Sequence, residues 1–423
     1  MRTPSIPKPL FFAMGTVAIM AVMLGSCLKS TKPGLPAEVV QTINATGFNR
    51  VQLTKTISNF LDPADSLQRE AAYFLIGNMQ RQYSLDYKLT DSLDNEFIYN
   101  PLTICEPDSF LLFWQKMEDQ KGPLNYKSEK FTLDRDTITA EFLTETILQT
   151  LNSRSLSWTQ PYTKAQVLSY VLPYRVANEH IDNWRPFLND FFLDKIPSEI
   201  QKNADAVAHF LNDYINDRFK FDIRFIKQAQ LQTVEELFQT KAGNYQDISV
   251  LKVKTLRSLG IPASLDYIPY FADSLYSYYF AAFINAEGAF EMLPNLGHDQ
   301  LFSQEKNIPK IYRRIYKELD TGLFAQKDIS LTTPPFLGHY HYLDVTSNYI
   351  PVQEVHFQSF CPDSIIYLTV FNDKKWRAVD WAICKNNQAV FSNVGANVQF
   401  QFAVLNDSVE QLTPVFSQFQ FAE

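Results

Sequence analysis

Residues able to do chemistry are few in this sequence and fall into three groups. The first is His339-Tyr340-His341 with Asp344 nearby. Residues two apart on an extended segment face the same way, so two imidazoles and a carboxylate would suit zinc. No third strong ligand accompanies them and prolines flank the segment, so packing is expected there, with no metal and no cofactor. The second group is Cys105, Cys361 and Cys384. None stands in a nucleophile motif. Cys361 and Cys384 share a strand-rich stretch and could bridge two strands, or all three could remain thiols. The third group is a concentration of rings, Tyr267, Tyr270, Phe271, Tyr276, Tyr278 and Tyr279, which either stack on sugar or peptide surfaces or pack as core. Trp376 and Trp381 admit the same two readings.

The elements that would position these groups follow from length and pattern. A chain of 423 residues, 46% hydrophobic, with 34 Phe, 21 Tyr and only 13 Gly, folds into large cores rather than a low-complexity or linker-like state. Its 38 cations against 46 anions give −8 and form no basic stripe, which speaks against nucleic-acid binding. Residues 1–27 carry Arg2, Lys8 and no acid around an apolar stretch from Leu10 to Leu24. This is a secretory leader pattern, too short to span a bilayer. It ends in Leu24-Gly25-Ser26-Cys27, which resembles the lipobox of bacterial lipoproteins and implies acylation of Cys27. Residues 28–37, with two Pro and a Gly, read as a tether.

Residues 38–200 read as a helical N-terminal region. Helices are predicted over Ser66 to Met79 and Ile138 to Leu151, with loops at Pro101, Pro107 and Pro123. A third helix, Thr163 to about Leu188, should break or kink at Pro173 and leave Arg175 and Glu179 four apart on a resumed turn. Residues 201–300 read as α+β. Val207, Leu211 and Ile215 mark a helix, Thr233 to Glu236 a capping box, and Asp247 to Leu259 a helix stopped by Gly260. Strands are expected over Ser264 to Tyr270, Tyr278 to Ile284 and Phe290 to Leu293, with a hairpin turn at Ala286 to Gly288. Residues 301–349 read as a connector containing a short helix and the Pro-rich loop Thr333 to Pro335. Six short strands over 350–423, with a turn at Asn386-Asn387, predict an antiparallel β-sandwich. The fold class expected is multidomain α+β.

The run Thr233 to Phe238, Gly243-Asn244-Tyr245-Gln246-Asp247 and Arg257-Ser258-Leu259-Gly260-Ile261-Pro262-Ala263 resembles the transglutaminase-like superfamily. Leu172 to Arg175, Glu179, Trp184-Arg185 and Asp344 to Thr346 are similar to the flanking domains of lipid-anchored transglutaminase-like proteins from Bacteroidetes. The resemblance implies a papain-like α+β core whose catalytic loop has the form Gly-x-Cys-x-Asp, with a His on a following strand and an Asp about 16 residues later. The matching positions here are Tyr245, Tyr278 and, near Pro294, Asn295. A phenol is almost entirely protonated at neutral pH and cannot replace a thiolate held at a helix N-terminus. His298 follows the strands, Asp247 reads as a helix cap, and Arg257 as a surface or interdomain ion pair.

These readings converge on an exported lipoprotein, expected to be held to the outer membrane, whose transglutaminase-like domain has no catalytic residues. Tyr245, Tyr270, Tyr278 and Tyr279 are the candidate ligand-binding residues, for a peptide, a peptidoglycan fragment or another glycan. The alternatives are an amide-bond-modifying enzyme with unorthodox residues and a purely structural envelope lipoprotein.

Overall fold

The computed structural model describes residues 34–272, 277–296, 307–320, 337, 340–361, 364–406 and 411–415. The expected leader with Cys27, most of the tether, Tyr276, His298, Thr333 to Pro335 and His339 lie outside the described residues. Those described form a mixed α+β protein with antiparallel sheets, and no helix among them is long and apolar enough to cross a membrane.

In chain order the first part contains α1 (Ala37–Ala45), α2 (Arg50–Ser58), α3 (Ser66–Gly77), β1 (Tyr83–Thr90), α4 (Phe110–Lys121), β2 (Asn125–Leu133), α5 (Ala140–Ser153), α6 (Lys164–Tyr170) and α7 (Trp184–Leu193). α1, α2, α3 and α5 bury one apolar stripe each, closing on Val39, Leu53, Ile57, Leu75, Ile76, Leu143 and Ile147. The region is not wholly helical, because β1 and β2, on either side of α4 in the chain, pair as a two-stranded antiparallel sheet. β2 is almost entirely exposed, so it lacks the apolar alternation by which a half-buried strand announces itself.

The turn after Pro173 also differs from expectation. α6 ends at Tyr170, and no helix resumes before Trp184. Arg175 instead pairs with the buried Asp134 carboxylate (Nε to Oδ2 2.9 Å) and donates to the Glu179 carbonyl. The Glu179 carboxylate accepts from the Val176 and Ala177 amides at 2.9 and 2.7 Å. A non-helical segment therefore keeps its backbone groups satisfied inside the protein.

The central layer begins with α8 (Ala204–Arg218), β3 (Lys220–Phe221), α9 (Val234–Thr240), β4 (Ala242–Gly243) and α10 (Tyr245–Ser258). Both reciprocal bonds of the Thr233/Glu236 capping box form at α9. α10 packs on a five-stranded antiparallel sheet, ordered β7 (Phe290–Leu293), β6 (Tyr278–Ile284), β5 (Ala263–Ile268), β8 (Tyr312–Arg314) and β9 (Tyr342–Asp344). Two of these strands come from residues 301–349, so the expected connector completes the sheet. Each has only three residues, and their pairing with β5 and with each other gives no local sequence signal.

Beyond the sheet stand β10 (Val352–Gln358), β11 (Ile365–Asn372), β12 (Lys375–Ile383), β13 (Gln388–Gly395), β14 (Gln401–Asn406) and β15 (Gln411–Val415). They form one sheet of β10 with β13 and another ordered β12, β11, β14, β15. The two sheets share a core containing Phe357, Leu368, Val370, Val379, Phe391 and Phe402. Asn386 and Asn387 take the positive φ values of 52° and 63° that the turn between β12 and β13 needs. Cys361 and Cys384 form a disulfide, with Cα atoms 5.8 Å apart, and Cys105 is free.

Candidate functional site

The loop before α10 is built by local rules. Asn244 caps the helix through its Oδ1, which accepts from the Asp247 amide at 3.0 Å, while Asp247 Oδ2 accepts from the Asn244 amide at 3.0 Å. Asp247 Oδ1 also accepts from the Gln232 amide at 3.0 Å, tying α10 to the approach of α9. Burial pushes the Asp247 carboxyl up to about 6, against these hydrogen bonds, which favour the charged form. Gly243 is needed for closeness: a Cβ there would lie 2.9 Å from both Asp247 Cβ and Gln232 Nε2.

Tyr245 is the first residue of α10 and Tyr278 the first of β6. Their rings meet edge to face, 5.6 Å between centroids, and the Tyr278 hydroxyl accepts from the Asn295 amide at 3.1 Å. Three positions separated by 33 and 17 residues thus converge. The Asn295 side chain is buried and its Nδ2 donates to Ser249 Oγ at 3.1 Å and to the Tyr279 carbonyl at 2.9 Å. Ser249 lies one helical turn after Tyr245. Lys252, one turn further in spacing terms, is buried and donates to the Pro294 carbonyl at 2.7 Å, and Asn216 reaches the same carbonyl at 3.2 Å.

The half-buried face of Tyr245 is covered by Phe221, stacked at 4.2 Å and 15°. Phe221 is placed there because β3 pairs in parallel with β4, opposite Gly243. It is 40% exposed, and Leu296, next to Asn295, is 59% exposed. An aromatic row therefore runs from Phe221 through Tyr245 to the buried Tyr278 and reaches solvent at its Phe221 end. Burial raises the Tyr245 phenol above its ordinary value, so the ring stays neutral.

The other two candidate tyrosines are elsewhere. Tyr279 follows Tyr278 on β6 and points to the opposite face, where it stacks on Tyr267 at 5.3 Å. Tyr270 packs against the core of the last two sheets. Among the described residues Arg257 has no ion-pair partner: it is buried and donates to the carbonyls of Ala263, Pro173 and Arg175 at 3.0, 3.1 and 2.9 Å. His341 is buried, with Nδ1 3.3 Å from Gln82 Nε2, while Asp344 serves Lys310 and Thr346. Among the described residues no cluster of three or more His, Cys, Asp or Glu is arranged to hold a metal ion. Trp376 is 40% exposed against Phe371, and Trp381 packs beside Tyr367 and Tyr312.

Sequence reasoning missed Phe221, Ser249 and Lys252. For Ser249 a signal existed, the four-residue step from Tyr245. For Phe221 there was none, because its position depends on a two-residue strand. No protein-family model matches the chain, and no curated protein matches it.

Proposed function

We propose that the protein is an exported, lipid-anchored lipoprotein whose transglutaminase-like domain binds an extracytoplasmic peptide or glycan without turning it over, and whose last two sheets form a β-sandwich domain. One observation carries the cleft reading. The positions that would hold a thiol, an imidazole and a carboxylate hold Tyr245, Tyr278 and Asn295, and the three touch in sequence. Nucleophilic catalysis needs a base within hydrogen-bond reach of an activated nucleophile. The Tyr245 phenol is held neutral by burial, and its ring stacks on Phe221 and meets Tyr278 edge to face. What the row offers instead is partly exposed aromatic surface on a pinned backbone, which suits stacking against a sugar face or an apolar peptide side chain.

The test is a binding screen of the chain from Ser30 onward against peptides, peptidoglycan fragments and glycans. Tyr245→Ala and the double variant Tyr245→Cys/Tyr278→His run beside it. Saturable binding that weakens about tenfold in Tyr245→Ala, in line with loss of one stacking ring worth roughly 1 kcal/mol or more, supports the reading. Turnover by the unmodified protein that disappears in Tyr245→Ala overturns it in favour of an amide-bond-modifying enzyme.

A further inference from the structure

The charge of this chain is divided unevenly. With the leader and its Arg2 and Lys8 removed, residues 28–61 contain four cations (Lys29, Lys32, Arg50, Lys55) and one acid, Glu38. Residues 62–423 hold 38 − 2 − 4 = 32 cations and 46 − 1 = 45 acids, a net −13. Residues 39–61, which span α1 and α2, contain no acid at all. The same stretch carries the most exposed large apolar side chain of the described residues, Phe48 at 103%, followed one turn later by Val51 at 69%, with Leu61 at 52% beyond α2.

A lone exposed ring is ordinary, but Phe48 is held out by a fixed turn. Asn49 Nδ2 donates to the carbonyls of Arg135 and Ile138 at 3.0 and 2.8 Å, and Arg50 Nε donates to the Ile43 carbonyl at 3.2 Å. The turn thus presents an apolar tip on a pinned frame, with the exposed Lys55 further along α2.

We propose that this turn, Phe48 and Val51 with the cations around them, is a second membrane contact that inserts into the lipid headgroup region beside the acyl anchor. The inference rests on the reading of Cys27 as acylated. Six residues lie between Cys27 and Gly34, where the described residues begin. Fully extended, the seven steps reach only about 25 Å, so α1 and α2 are the elements confined nearest the bilayer. An apolar tip flanked by cations suits an anionic lipid surface, and an otherwise acidic body is repelled from it. A contact there would fix the orientation of the molecule, where a tether alone leaves it free to tumble.

The experiment uses the full acylated chain on vesicles of phosphatidylethanolamine and phosphatidylglycerol, with an environment-sensitive dye on Phe48→Cys in a Cys105→Ser background. Leu112→Cys, labelled the same way, is the control: Leu112 is 76% exposed on α4. The expected result is a blue shift at position 48 and loss of its emission to brominated acyl chains, with neither at position 112. Co-flotation with vesicles while position 48 keeps its aqueous emission overturns the inference and leaves the anchor intact. Failure to co-float overturns the anchor reading, and this inference with it.

Discussion

At Asn295 the side-chain amide gives its protons to Ser249 Oγ and the Tyr279 carbonyl, both inside the protein. Asn295→Asp would replace two donors by an acceptor, set it against a carbonyl oxygen and bury a charge, at about 1–3 kcal/mol or more. Urea unfolding at pH 7 should show this loss, and it should shrink at pH 4 as the new carboxyl takes a proton; an unchanged midpoint would mean the carboxylate is accommodated and the site is less committed to its amide. Asp247 gives a prediction of definite sign. Its carboxyl is held at about 6 in the folded chain, above the roughly 3.9 of an unfolded Asp. The folded state binds this proton more tightly, so the stabilisation is full below about pH 4 and lost as pH rises through 6, by up to roughly 2–3 kcal/mol. Comparing Asp247→Asn with the parent at pH 4, 5 and 7 isolates this slope, because the other carboxyls cancel in the difference. Asn244, Tyr245 and Asp247 were legible in the sequence because capping is local. Phe221 was not, since nothing near it in the chain fixes its partner.

At the level of elements, α10 organises the centre by being buried on nearly every side from Asp247 to Ser258. Its sequence contains Lys252, Lys254 and Arg257, which by composition belong on a solvent face. Each instead carries its charge to an oxygen: Lys254 reaches Asp182 Oδ1 at 2.8 Å, while Lys252 and Arg257 reach carbonyls. This is why Arg257 reads wrongly as an ion pair, for the carbonyls that receive it belong to a non-helical segment whose path only tertiary structure sets. Arg257→Met should strand the carbonyls of Pro173, Arg175 and Ala263 and cost on the order of 3 kcal/mol. Hydrogen exchange should localise the opening to residues 171–183; equal protection there in parent and variant would show that Arg185, which donates to the Leu172 and Pro173 carbonyls at 2.8 and 3.1 Å, suffices alone. The longer helices were legible from their periodic apolar stripes, the strands of the last sheets from alternation and Asn turns. The β1–β2 pair, with little apolar face and α4 between its strands, was not.

Across the whole molecule, the sheet that carries Tyr278 is completed by β8 and β9 from a stretch that looked like a connector, and Lys310 fastens that sheet to the last strands. Its buried Nζ sits 2.8 Å from Asp344 Oδ2 at the end of β9, 2.6 Å from Asp380 Oδ2 of β12 and 2.6 Å from the Ser392 carbonyl of β13. Burial disfavours the ammonium, but the two carboxylates outweigh it and raise the Lys310 pKa. Asp380, pushed upward by its own burial, is kept from rising further by Lys310. A single cation thus pairs with two carboxylates contributed by separate sheets. Lys310→Met leaves those carboxylates near one another without the cation between them, and breaking a buried pair in this way costs about 3–5 kcal/mol. The deficit should be largest at pH 7 and diminish toward pH 4, where one carboxyl takes a proton. Adding Asp380→Asn should restore part of the stability at pH 7 by removing one of the two charges. Thermal unfolding of the parent, the single and the double variant at both pH values measures this. A single variant as stable as the parent at pH 7, or a double variant worse than the single, would show that the sheets are joined by their apolar contacts and that Lys310 is incidental.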